Sequence, residues 1–157
     1  MASWCTCRAG SPRRVSIDAD PAPANHGDDD DATLRRILDA GRRDAQQLEA
    51  LRQRIPTFRC VVGCHDCCGP VTASALEVGR LPVKTDAEHA AALASLDCVH
   101  LGKHGCEVYA ERPLVCRLFG TTPGLPCPNG RRPVYLLDRR TEAEIQRFMA
   151  GTRQVLV

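Results

Sequence analysis

The chain has 157 residues and a net charge of +2, and it is 43% hydrophobic but only 4% aromatic, with ten cysteines. This length allows one domain, but so few aromatic side chains leave a modest core, so we expect cross-links or bound metal to stabilise the fold. The small net charge argues against nucleic-acid binding, and the lack of any apolar run of about 18 residues argues against a membrane span.

Residues 1–31 are predicted to form a disordered leader. They contain several Pro and Gly residues and the run Asp28 to Asp31, and they lack apolar periodicity. Cys5 and Cys7 lie in this leader. We interpret them as two exposed thiols, with a tail that delivers a soft metal as the alternative.

The N-terminus also lacks the apolar run of a signal peptide, which predicts a cytoplasmic protein. In a reducing cytosol the cysteines remain thiols, so metal ligation is favoured over a disulfide scaffold.

An amphipathic helix is predicted over residues 32–56. Apolar residues recur at three- and four-residue spacing from Leu34 to Ile55, which is typical of one buried helix face. Asp31 is expected to cap the first free amides of this helix, and Pro56 to end it.

The stretch from Cys60 to Cys68 reads as half of a metal site, because it places four thiols in nine residues. The spacing Cys64-x-x-Cys67 is typical of a tight turn that directs two thiolates to one point. Adjacent side chains diverge, so Cys67 and Cys68 are hard to place on one tetrahedral ion. This favours a metal cluster or two neighbouring sites.

Two short helices are predicted next, one opened by a capping box at Ser74–Glu77 and one from Asp86 through Leu96. Residues 97–130 are dense in Gly and Pro and are predicted to be loops that metal ligation holds in place. The last part, residues 131–157, is predicted to contain a short strand at Pro133–Leu137 and a helix opened by a second capping box at Thr141–Glu144.

An ordered cysteine pattern runs through residues 58–130: Cys60-x3-Cys64-x2-Cys67-Cys68, then Cys98, then Cys106-x2-Tyr109-x2-Arg112-Pro113-x2-Cys116-Arg117, and finally Cys127. This pattern closely resembles the bacterial cysteine-cluster proteins of the YkgJ type, a family of zinc- or iron-chelating domains. The resemblance implies metal binding by all eight cysteines. The spacing of the first three also coincides with that of radical S-adenosylmethionine enzymes, where three thiolates hold a four-iron cluster, so an iron–sulfur cluster is slightly preferred over zinc.

Four further side chains are predicted to surround the centre without binding the metal. Arg112 and Arg117 flank Cys116, where a guanidinium would offset thiolate charge. Tyr109 is expected to pack against the site, and His65 to lie beside it.

These observations predict a small metal-stabilised protein, mainly α, in which short helices and irregular cysteine-rich loops surround a Cys-ligated centre at residues 57–130. Three functions remain open: chelation of zinc or iron by a binding module, an iron–sulfur redox or protein-modifying component, and metal storage or delivery. Whether the chain catalyses a reaction also remains open, and we favour a chain that is not an enzyme on its own and that acts with an unknown protein partner.

Overall fold

The computed structural model describes residues 27–157. Within these residues there are five helices and four short strands: α1 (Gly27–Arg54), β1 (Thr72–Ser74), α2 (Ala75–Val78), α3 (Asp86–Ser95), β2 (Leu101–Gly102), β3 (Gly105–Cys106), α4 (Leu114–Leu118), α5 (Arg139–Gly151) and β4 (Gln154–Leu156). The fold is therefore mixed and mostly helical, with few strands. Most of the predicted leader, including Cys5 and Cys7, lies outside the described residues.

Contacts within the chain divide it into two units, Met1–Ile37 and Leu38–Val157. In the described part of the first unit, Arg35 forms an exposed ion pair with Asp31 at 2.5 Å. Apart from the first turns of α1, all features discussed below belong to the second unit. None of the helices in residues 27–157 is both long enough and apolar enough to cross a membrane.

Helix α1 begins at Gly27 rather than at Ala32, and it ends at Arg54 rather than at Pro56. The predicted start was wrong because acidic residues in a first helical turn are favoured by the helix dipole, so the aspartate run joins the helix. Asp31 consequently lies inside the helix, where it pairs with Arg35 instead of capping the first amides of the helix.

The main core forms where the C-terminal half of α1 packs against α4 and α5. Its buried members are Leu48 and Leu51 from α1, Ile55 directly after it, Leu114 and Leu118 from α4, Leu137, and Ile145 and Phe148 from α5. The apolar stripe predicted along α1 is thus buried from Leu48 onward, whereas Leu38 is exposed. Burial of this set supplies hydrophobic stabilisation directly beside the segment that carries Cys116.

A second buried cluster lies beside the paired strands β1 and β4. Strand β1 pairs antiparallel with β4, and Ala73 lies opposite Val155. Ala73, Leu81, Val99 and Val157 pack together on the covered side. Strand β4 therefore pairs with the segment that directly follows the first four cysteines.

The strand predicted at Pro133–Leu137 is not formed, and the terminal strand is β4 instead. Leu137 N–H donates to the Thr121 carbonyl at 2.8 Å, but Pro133 has no N–H to extend such a ladder. Val134 and Tyr135 are 90% and 82% exposed, so no face of this segment is buried along its length.

Helix caps define the starts of α2 and α3. The predicted capping box at Ser74 and Glu77 is confirmed, since Ser74 N–H donates to Glu77 Oε2 at 2.9 Å and Glu77 N–H to Ser74 Oγ at 3.4 Å. Thr85 and Glu88 form an equivalent, exposed box at the start of α3.

The box predicted at Thr141–Glu144 was wrong, because Asp138 occupies the N-cap of α5 and accepts from Thr141 N–H at 2.9 Å. Asp is as good an N-cap as Thr, and it lies three residues earlier in the chain.

Glu77 also connects α2 to α4. Its second oxygen, Oε1, accepts from the N–H of Leu114 at 2.6 Å. The N-cap of α4 is Pro113, which offers no side-chain acceptor. Residues 97–130 were predicted to be loops, but they contain α4, which this buried carboxylate stabilises from a distant segment.

We predict that Glu77→Ala destabilises the protein by about 2–3 kcal/mol, because buried amides of two helices would lose a charged acceptor. Glu88→Ala removes a similar box in an exposed position and is the matched control, with a smaller expected loss. Urea unfolding of both variants measures the difference, and equal losses would contradict the role assigned to Glu77.

Candidate metal centre

All eight cysteines in residues 27–157 are free thiols, and each is partly buried. They are Cys60, Cys64, Cys67, Cys68, Cys98, Cys106, Cys116 and Cys127. Free thiols at intermediate exposure are available both to a metal and to deprotonation by solvent.

The first four cysteines lie on two successive tight turns. Cys64 N–H donates to the Val61 carbonyl at 3.1 Å, and Cys68 N–H donates to the His65 carbonyl at 2.7 Å. Gly63, inside the first of these turns, adopts a φ of +76°, in the left-handed region that glycine enters without a steric cost. These turns fold the segment back so that its cysteines approach one another.

The remaining four cysteines reach the same region from separate elements. Cys106 lies on β3, whose hairpin with β2 turns through Gly105 at a φ of +105°. A Cβ atom on Gly105 would stand 3.5 Å from the Cys64 carbonyl, so this hairpin lies directly against the first cysteine loop. Cys116 is carried by α4, and Cys127 begins a turn closed by Gly130 N–H at 2.9 Å.

A cavity of about 530 Å³ lies between these elements, and seven of the eight cysteines line it. Cys127 is the one outside the wall. The other wall residues include Phe58, Val61, Val62, Tyr109 and Arg112. The structure thus gathers nearly all the predicted ligands around a single space.

Electrostatic effects among the thiols divide them into two sets. Burial raises the pKa of Cys60, and the charges of Cys64 and Cys127 raise that pKa further. Burial also raises the pKa of Cys67, with added contributions from Cys60, Cys127 and Cys64. We call Cys60, Cys64, Cys67 and Cys127 the first quartet.

The second quartet consists of Cys68, Cys98, Cys106 and Cys116. Burial raises the pKa of Cys68 to about 12, followed by the charges of Cys67, Cys106 and Cys98. Burial likewise raises the pKa of Cys116 to about 12, followed by the charges of Cys98 and Cys106. We assign the consecutive residues Cys67 and Cys68 to different quartets, although after burial the charge of Cys67 is the largest contribution to the raised pKa of Cys68.

Arg112 and Tyr109 both lie on the cavity wall. The Arg112 guanidinium stacks on the Tyr109 ring, with its Cζ 4.0 Å from the ring centroid. Its positive charge lowers the pKa of Cys60, Cys106 and Cys116, which opposes part of the effect of burial. Arg112 thus acts on thiols of both quartets.

The structure does not bring Arg117 or His65 to the cavity wall. Arg117 Nε donates to the Arg112 carbonyl at 2.9 Å, and its Nη2 donates to the Ala110 carbonyl. Burial lowers the pKa of Arg117, and the next contributions come from Arg52 and Arg112 rather than from a thiol. His65 is exposed, with Nδ1 3.3 Å from the Gly63 carbonyl.

Asn129 is a site residue that the sequence reasoning missed. Its Nδ2 donates to Cys64 Sγ at 3.1 Å and to Asp66 Oδ2 at 2.8 Å. It thereby ties the turn that carries Cys127 to the first cysteine loop. The Pro-Asn-Gly turn directly after Cys127 was the available signal, because Asn is common in turns and its amide can donate to sulfur.

Within residues 27–157, no group of three or more His, Cys, Asp or Glu side chains is arranged to hold a metal ion as it stands. The chemistry of the donor set nevertheless fits a soft metal, because the available side chains are unpaired thiols. Burial raises the pKa of five of these thiols, which favours their neutral form and reduces mutual repulsion: Cys60, Cys67, Cys68, Cys106 and Cys116. Metal binding would therefore deprotonate the thiols and draw them together.

The fold and the cavity define a small cysteine-rich domain whose free thiols surround one space. Residues 59–147 match the profile of a protein family described as "Putative zinc- or iron-chelating domain". This match covers more than half of the chain, so the chain belongs to that family, and the resemblance inferred from the cysteine pattern is confirmed. A search of curated proteins and a search of solved structures each gave no match.

We predict that the metal-free, reduced protein loses stability as the pH rises from about 9 towards 12. The pKa values of Cys68 and Cys116 are raised in the folded state from 9.0 to about 12, so these thiols ionise first in the unfolded state. Their contribution is complete below pH 9 and is lost as the pH approaches the folded-state values. Urea unfolding at a series of pH values measures the decline.

The double variant Cys68→Ser, Cys116→Ser provides the control for this pH dependence, because it removes the two thiols but keeps the other groups that titrate in the same range. Its stability should decline less steeply. An equal slope in both proteins would show that these thiols do not carry the effect.

Proposed function

We propose that this protein binds metal through all eight cysteines, as two neighbouring four-thiolate sites formed by the first and second quartets. The observation that carries the proposal is the gathering of seven free thiols on the wall of one cavity. The family description of zinc or iron chelation supports the same chemistry.

The division into quartets resolves the difficulty posed by Cys67 and Cys68. Adjacent side chains that diverge can serve two centres on either side of the backbone between them. Four thiolates complete the coordination shell of zinc, and four also hold a four-iron cluster. Eight thiolates therefore match two complete sites, with no ligand left over.

Iron–sulfur clusters are favoured over zinc for these sites. The spacing Cys60-x3-Cys64-x2-Cys67 suits a four-iron cluster, and a cavity of about 530 Å³ is larger than the shell of a single ion needs. Arg112 on the wall would offset the charge of the thiolates and affect a reduction potential. Such a protein would work in a reducing compartment such as the cytosol, as a redox or protein-modifying component with a partner.

Metal storage or delivery is the second candidate, and the partial exposure of all eight thiols favours it. A delivery protein must let an incoming thiol reach the bound metal, and an open cavity permits such an exchange. A structural zinc site would instead be closed on all sides.

We predict that Cys67→Ser and Cys68→Ser each remove about half of the bound metal, because each variant loses one ligand of one four-thiolate site. The double variant should lose nearly all of it. Elemental analysis, acid-labile sulfide and the visible spectrum of anaerobically purified protein measure the metal and identify it.

His65→Ala is the matched control, since it changes the same loop without removing a thiol, and it should keep the full metal content. Complete loss of metal in either single cysteine variant would indicate one shared centre and contradict the two quartets. Colourless protein with stoichiometric zinc would contradict the iron–sulfur assignment.

A further inference from the structure

We propose that the cysteine cavity of the reduced, metal-free protein also binds a small organic anion, a carboxylate on an apolar body, whose charge is met by Arg112. This inference goes beyond metal binding, because it concerns a different group on the cavity wall and a different class of ligand. It requires a cationic group without a partner, a means of positioning that group, and an apolar wall of suitable size. The structure provides each of these.

The Arg112 guanidinium has a hydrogen-bond donor without a partner in the described chain. Its Nε is buried and has no hydrogen-bond partner among residues 27–157. The ion pairs in this part of the chain involve Arg35, Arg42, Arg52, Arg54, Arg80, Lys84 and Arg140, but not Arg112. A buried donor without a partner is costly, and the guanidinium fork matches the two oxygens of a carboxylate.

The nearest carboxylate in sequence does not neutralise Arg112. Glu111 instead accepts from Arg52 Nη1 at 2.9 Å, and the same Arg52 donates through Nη2 to the Ala110 carbonyl at 3.0 Å. The side chain of Arg52 is only 9% exposed, so this pair is well held. The protein thus pairs Arg52 of α1 with Glu111 and leaves Arg112, on the cavity wall, without an ion-pair partner in the described chain.

Tyr109 and Arg117 hold Arg112 in position. The Tyr109 ring covers one face of the guanidinium at 4.0 Å, and Arg117 Nε fixes the Arg112 carbonyl at 2.9 Å. Stacking on an aromatic ring occupies the face of the guanidinium and leaves its N–H edge for a ligand. The group is therefore oriented before any anion arrives.

The remaining wall suits the body of an organic anion. Phe58, Val61 and Val62 contribute apolar surface, and no Asp or Glu of the described chain lies on the wall. The cavity volume of about 530 Å³ lies within the usual range for small-molecule sites, which are largely apolar with a few polar groups. Inorganic phosphate would use the guanidinium but not this apolar surface.

The experiment compares benzoate, neutral benzamide and inorganic phosphate as probes of the full-length protein by isothermal titration calorimetry. Benzoate and benzamide have nearly the same shape, so their difference reports the charge. We expect saturable benzoate binding, with benzamide and phosphate each at least about tenfold weaker. Arg112→Met should weaken benzoate binding by a similar factor, and Arg112→Lys should restore part of it.

Arg43→Met is the matched control, since Arg43 is exposed on α1 and is not part of the cavity wall. It should leave benzoate binding unchanged. The metal content of every sample is measured beside the titration, and the titration is repeated on chelator-treated, reduced protein. A protein that binds benzoate but no metal would therefore contradict the proposed function alone.

Two results would overturn the anion site. The first is the absence of saturable benzoate binding in the chelator-treated, reduced protein. The second is unchanged binding in Arg112→Met while the variant remains folded by circular dichroism. If Arg112→Met is unfolded, equal benzoate and benzamide affinities in the unmodified protein would have the same meaning.

Discussion

The rest of this structure depends on one constraint: seven free thiols, four of them on one loop and three on separate segments, must be held on the wall of one cavity without cross-linking one another. Loops dense in Gly and Pro cannot hold such an arrangement by themselves, so neighbouring elements brace them. Strand β1 follows the first four cysteines and pairs with β4, and α4 packs in the main core. Glu77 links α2 to α4, and Arg52 secures the loop before Arg112.

The consecutive pair Cys67 and Cys68 determines how these thiols can be used. One residue couples to the first quartet and the next couples to the second. Burial raises the pKa of five thiols in the two quartets and favours their protonated form, which lowers the electrostatic cost of placing them close together. Because no group of these side chains in residues 27–157 is arranged to hold a metal ion as it stands, a centre of this kind would form only as the metal binds.

Local signals in the sequence predicted the parts of the fold that depend on neighbouring residues. The capping box at Ser74 needs only residues three apart, and it was predicted correctly. Competition between two good caps decided the start of α5 in favour of Asp138. The short α4 was missed because its first amide is satisfied by Glu77, which lies far away in the chain.

The cysteine pattern was informative because it is ordered and has several parts, and the family match agrees with it. The surroundings of the thiols were harder to predict, since they depend on tertiary contacts. Arg117 is adjacent to Cys116 in sequence and Arg112 is four residues away, but the structure places Arg112 on the cavity wall and turns Arg117 towards backbone carbonyls. The contact of Asn129 with Cys64 likewise joins two loops that only the folded chain brings together.

The most direct test of the central claim is X-ray absorption spectroscopy of the metal in anaerobically purified full-length protein. We predict an X-ray absorption edge from iron or zinc and a first shell of about four sulfur neighbours for each metal, with iron–iron scattering if clusters are present. A shell dominated by oxygen or nitrogen, or protein that retains no metal, would contradict the claim that these cysteines form a metal centre.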